Sequence, residues 1–81
     1  MAHIARHNVT PDEVEEVCHG DPLVLATYAG RLLVIGPSNR GRMLAVVLSP
    51  EGRGVFYPVT ARPASRRERA LYQQSRAGAT S

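Results

Sequence analysis

The 81-residue chain is expected to fold as a single α+β domain: an N-terminal helix, an antiparallel sheet of three to four strands, and a C-terminal helix. Three observations predict this. Two Ser/Thr-x-x-Glu segments, Thr10 to Glu13 and Ser65 to Glu68, each mark the start of a helix. Between them lie short apolar runs separated by turn residues. The connections are too brief for crossover helices, so the strands should form an antiparallel meander. No internal repeat or linker interrupts this order. The domain is assigned to residues 1–75, with 76–81 as a small, polar, frayed tail.

Each element has its own local reason. Ala2 to His7 reads as a helical turn or two, with Ile4 as its one large apolar residue. Thr10 then caps the first full helix, Pro11 suits its first position, and Glu13 completes the capping box. Val14, Val17 and Cys18 fall on one helical face and Glu15 and Glu16 on the other, which makes Cys18 a small buried hydrophobe. Gly20 and Asp21-Pro22 stop the helix.

Strands follow at Leu23 to Tyr28 and at Arg31 to Ile35, the second closed by Gly36-Pro37-Ser38-Asn39. The unbroken apolar run Met43 to Leu48, within Arg42 to Ser49, reads as a central strand. Pro50-Glu51-Gly52 turns the chain into Gly54 to Thr60, where Val55, Tyr57 and Val59 share a face. Pro58 has no amide hydrogen to donate, which points to a sheet edge or a bulge there. The last helix runs from Ser65 to about Gln74, with Leu71 and Tyr72 as a thin packing stripe.

Composition narrows the function. A hydrophobic fraction of 43% and a charged fraction of 21% are ordinary for a globular protein and argue against wholesale disorder. No apolar run approaches the ~20 residues that span a bilayer, and Met1 to Asn8 lacks the apolar stretch of a secretory signal. A cytoplasmic protein without a membrane segment is expected. Cys18 is alone, so it makes no internal disulfide, and no CxxC pair is present. His3 and His7 are four apart but lack a third ligand at fixed spacing, so neither a metal nor another cofactor is expected.

All 10 basic side chains are arginine. They are unevenly spread: residues 1–30 hold one arginine against five acids, a net −4, and residues 31–81 hold nine against two, a net +7. Guanidinium keeps its charge and offers a planar fork suited to phosphate. Such a basic half is the footprint of a polyanion-binding surface or, equally, of a solvated arginine-rich face.

The segment Tyr57-Pro-Val-Thr-Ala-Arg-Pro-Ala-Ser-Arg-Arg-Glu-Arg-Ala-Leu-Tyr72 resembles the signature of the BrnT toxins. That signature is a final strand ending in [Ser/Thr]-Ala-Arg, then a helix carrying Glu-Arg and a Tyr. The opening, His7-Asn8-Val9-Thr10-Pro11 and the acidic helix after it, is similar to the family's His-Gly-Val and following helix. Arg6 stands where the family commonly has Lys, and Asn8 where it has Gly; Asn tolerates the left-handed backbone of such a turn. The family usually opens with a strand before that His, and little of one precedes it here. The likeness covers roughly residues 3 to 74. It implies a RelE-like fold, a type II toxin–antitoxin pair, and RNA cleavage without a metal. It also implies a BrnA-like antitoxin partner with a ribbon-helix-helix domain, in a toxin homodimer or a toxin–antitoxin heterotetramer.

Metal-free RNA cleavage uses the 2′-hydroxyl as an internal nucleophile. The protein must help remove its proton, stabilise the charged phosphorane and protonate the leaving oxygen. Candidate acid–base groups are His7, Glu68, Tyr72 and, near the start, His3. Arg62, read as lying between the last strand and the last helix, is the leading phosphate clamp, with the Ser65 cap's free amides beside it. The bland alternative for Arg62 is a structural pair with Glu68 or with an acid of the first helix. Arg67 and Arg69, with Arg40 and Arg42 from the turn between strands, are the further RNA contacts. Glu68 is as well explained by capping, and Tyr72 by core packing. Two other functional classes fit the same residues: a non-catalytic, toxin-like module that binds an antitoxin or RNA, and a subunit that self-associates through its sheet edge.

Overall fold

The protein is described by a computed structural model, in which residues 5–6 and 9–79 are placed. The order is β1 (Ala5–Arg6), α1 (Pro11–His19), β2 (Leu23–Ala26), β3 (Leu32–Pro37), β4 (Met43–Pro50), β5 (Phe56–Pro63) and α2 (Arg66–Ala79). The five strands form one sheet in the order β1-β5-β4-β3-β2. The three antiparallel pairings that join β2 to β5 are the meander that the turn spacing implied. Ala5–Arg6 is not the expected helical turn. It pairs parallel to β5, with Ala5 opposite Thr60 and Arg6 opposite Ala61.

β4 sits in the middle of the sheet and is apolar on both faces, as its sequence implied. Leu44 and Val46 point to one side, where Val34, Ala61, Val9 and the α1 residues Val14 and Val17 join them. Ala45 points to the other, with Ile35 and Ala64, and Leu33, Met43 and the α2 residue Tyr72 pack against that cluster. The two helices therefore lie on opposite faces of the sheet. Gly36 permits the close approach on the α1 side. A Cβ there would come within 3.2 Å of the Pro22 Cβ.

Both capping boxes form. The Glu13 amide donates to the Thr10 hydroxyl at 3.2 Å and the Thr10 amide to Glu13 Oε1 at 3.1 Å. At α2 the Glu68 amide donates to Ser65 Oγ at 3.1 Å and the Ser65 amide to Glu68 Oε1 at 2.9 Å. α1 ends at Gly20, whose amide donates to the carbonyl of Glu16 at 3.1 Å. Pro58 does lie at a bulge. The register steps from Val47 opposite Thr60 to Leu48 opposite Pro58, leaving Val59 unmatched.

Two further expectations change. Cys18 is exposed, because α1 turns Val14 and Val17 to the sheet and the next position has already rotated outward. α2 runs on to Ala79 rather than ending near Gln74, and Arg76 in its last turns pairs with Asp21 at the α1–β2 junction. No helix among the described residues is long and apolar enough to cross a membrane.

Truncating the fully buried Leu44 removes the side chain that α1 packs on. Leu44→Ala is expected to lower stability by about 3 kcal/mol, and Thr10→Ala, which deletes a cap, by about 1 kcal/mol. Urea unfolding midpoints would show the two effects in that order.

Candidate functional site

The junction of β5 and α2 is built around one carboxylate. Arg62 is not in a loop: it lies inside β5, opposite Ala45, which directs its side chain to the α2 face of the sheet. The Ser65 capping box holds Glu68 at the third position of α2, turned back toward the strand. The two side chains meet in a bidentate pair, Nη1 to Oε1 and Nη2 to Oε2, both 2.7 Å. Glu68 accepts three hydrogen bonds in all, because Oε1 also takes the Ser65 amide.

The electrostatics follow from these contacts. The Arg62 guanidinium, then the Ser65 amide, hold the Glu68 carboxyl at about 2, against a desolvation cost that pushes the other way. Hydrogen bonding to Glu68 raises Arg62 in turn. The Glu68 side chain is 11% exposed and that of Arg62 37%, so the guanidinium faces both the carboxylate and solvent. Arg62 Nη1 makes a second, longer contact to the Pro63 carbonyl at 3.4 Å. Of its five N–H groups, two then remain for another acceptor.

The first turns of α2 add charge around this pair. Arg66, Arg67 and Arg69 are exposed, and among the described residues no ion pair ties their side chains. Tyr72 lies one turn after Glu68, half-buried against the second core cluster, with the Arg76 guanidinium 5.7 Å from its ring centroid. Arg66, which was not among the expected RNA contacts, is part of this surface as well. Its exposure beside two other arginines is set by the helix, which sequence spacing alone does show.

Arg40 and Arg42 do not belong to the same site. Arg42 reaches both carboxylate oxygens of Glu13 at 3.1 Å, on the α1 face of the sheet. The Asn39 amide donates to Glu16 Oε1 at 3.0 Å and fastens the β3–β4 turn to α1. Thr10's amide, then Arg42 and Arg40, hold the Glu13 carboxyl below its ordinary range, with desolvation opposing. Thr10, Asp12, Glu13, Glu16, Arg40 and Arg42 line an open groove of about 420 Å³. Its walls mix acids with arginines, so it offers a phosphate no clean positive field. The predicted clamps are therefore split back to back by the sheet.

His7 and His3 lie outside the described residues. Arg6, the residue before His7, is opposite Ala61, the residue before Arg62. Among the described residues no three His, Cys, Asp or Glu side chains gather in a way that would hold a metal ion. Compared with known protein families, curated proteins and solved structures, the chain finds no match.

The Arg62–Glu68 pair links stability to pH. Glu68 titrates near 2 when folded and near 4.5 when not, so the pair's contribution is complete above about pH 5 and is lost as pH falls toward 2. Discounted for the solvent reaching Arg62, the loss is expected to be about 2 kcal/mol. Glu68→Gln should be less stable at neutral pH and show a flatter acid limb. Urea midpoints between pH 2 and 6 for both proteins check this.

Proposed function

We propose that the chain is a BrnT-like toxin that acts on RNA, with Arg62 as the group that grips the scissile phosphate. The observation that carries this reading is the Arg62–Glu68 pair at the foot of α2. A guanidinium is held charged, oriented and half-exposed, next to the exposed Arg66, Arg67 and Arg69. This is the stretch in which the sequence resembles the BrnT signature.

The reaction in this reading is attack of the 2′-oxygen on the adjacent phosphorus, with loss of the 5′-oxygen and formation of a cyclic phosphate. Arg62 stabilises the phosphorane through the N–H groups that Glu68 leaves free. Arg67 and Arg69 contact flanking phosphates. Glu68 acts through Arg62: a carboxyl held at about 2 is too weak a base and too rarely protonated to move the protons itself at neutral pH. Glu68 is thus a positioning residue, which revises its expected acid–base role. The proton transfers fall to His7 and Tyr72. The register of Arg6 beside Ala61 supports a role for His7, because it brings the preceding residue alongside the Arg62 strand. In this reading the protein is cytoplasmic and its partner is a BrnA-like ribbon-helix-helix antitoxin.

The same pair also favours a second reading. A bidentate salt bridge that caps a helix is complete without a substrate, as in a non-catalytic module that binds RNA or an antitoxin. Cleavage of a labelled RNA in the presence of EDTA separates the two. Arg62→Ala should lower the rate by about 10²- to 10³-fold, as loss of one oxyanion-type donor does. Unchanged cleavage by Arg62→Ala would overturn the assigned role, and tight RNA binding without any cleavage by the unaltered protein would select the second reading.

A further inference from the structure

The end of the sheet away from the start of α2 carries an unexplained concentration of exposed aromatic rings. The chain has only four, Tyr28, Phe56, Tyr57 and Tyr72. Three lie at this end, where β3 begins and β4 turns into β5, and their exposures are 68% for Tyr28, 42% for Phe56 and 48% for Tyr57. A folded domain gains nothing for its own core from rings left in water.

The backbone at this end is also unusual. The two non-glycine residues with positive φ among the described residues are Ala29, at 59°, and Arg53, at 55°. Each occupies one of the two turns here. Ala29 follows Tyr28 in a turn closed by the Thr27 amide to the Arg31 carbonyl at 2.9 Å and the Arg31 amide to the Tyr28 carbonyl at 3.1 Å. Arg53 stands between Gly52 and Gly54, both also at positive φ, at the tip of the β4–β5 hairpin. Residues kept in such conformations cluster at ligand sites.

Tyr28 is held ready. The Arg31 guanidinium lies 5.4 Å from its ring centroid, and Arg31 Nη1 donates to its hydroxyl at 3.4 Å. The guanidinium touches the ring while most of the ring's surface stays bare. Tyr57 stands opposite Ser49, beyond Leu48, where β3 has no further partner for β4. Two to three strand spacings of ~4.8 Å separate the β2–β3 turn from β5, roughly 10 to 14 Å. About three or four stacked nucleotides at ~3.4 Å cover that distance.

We propose that this end is a stacking platform for a single-stranded RNA segment, with bases on Tyr28 and Tyr57 and phosphates near Arg31 and Arg53. Glu51 is the acid on the same hairpin, so the local balance of these three charges is positive. Stacked bases need an open π-face and a nearby cation, and Tyr28 with Arg31 supplies both. The inference rests on the RNA reading above and adds a second contact region to it.

The test measures binding of fluorescein-labelled U8 and A8 RNA, and of a short RNA duplex, by the full chain. Tyr28→Ala and Tyr57→Ala should each weaken single-strand binding about 5- to 100-fold, the range for loss of one stacked base. Tyr28→Phe and Tyr57→Phe, which keep the ring, should bind as the unaltered protein does, and duplex affinity should not change. Unaltered single-strand affinity in both alanine variants overturns the platform, while Arg62-dependent cleavage in the same samples leaves the ribonuclease reading standing. Ring-dependent binding by a protein that cuts no RNA does the reverse. If the alanine variants change only the sedimentation coefficient, the rings are a protein contact and the proposal fails.

Discussion

Everything in this molecule depends on β4 being apolar on both faces. Leu44 and Val46 demand cover on one side, and Ala45, with its neighbour Ile35, on the other. A single helix cannot supply both. One helix therefore packs on each face, and because α1 is acidic and α2 is basic, the sheet becomes the divider between two charges. The electrostatic asymmetry visible along the chain turns into an asymmetry in space only because the hydrophobic pattern of one strand requires it.

The two helices are anchored by the same device. In each, the glutamate of the capping box accepts from its own N-cap backbone and then pairs with an arginine from the sheet side: Glu13 with Arg42, Glu68 with Arg62. A carboxylate that already satisfies a helix amide is fixed in place, so the arginine it pairs with loses little further entropy on its side. The repetition shows that the pairing has a structural purpose wherever it occurs. It does not follow that the two arginines are equivalent. The surroundings differ: Arg42 opens on a groove lined by Asp12 and Glu16, whereas Arg62 is followed by three exposed arginines.

This contrast also explains what could be read from the chain in advance. The helix starts were legible because a capping box is a local object, complete within four residues. The central strand was legible because six apolar residues in a row, Met43 to Leu48, fit few other places. The extent of β5 was not, because Pro58 and Pro63 bracket Thr-Ala-Arg and make it look like a connection. Its strand conformation is imposed by β4 and by the two-residue β1. The α2 extension to Ala79, along which Arg76 meets the distant Asp21, likewise involves a contact far away in the chain. The separation of Arg42 from Arg62 was hidden for a related reason. Alternation in β4 decides which face each one meets, and charge composition carries no record of it.

A phosphate-binding arginine needs three things at once: a fixed orientation, unspent N–H groups, and a field that does not repel the anion. Glu68 supplies the first for Arg62, and the bidentate geometry leaves the second. The carboxylate's own negative charge works against the third. A salt bridge alone is neutral and would hold no phosphate. The neighbouring Arg66, Arg67 and Arg69 restore a positive potential around the pair, and they do so because helix α2 presents residues 66, 67 and 69 outward while it turns 68 in. The capping box is what sets that phase. The same four residues that start the helix thus decide both that Glu68 faces Arg62 and that the cations beside it face the solvent, which gathers exposed positive charge at this junction and not at the α1 groove.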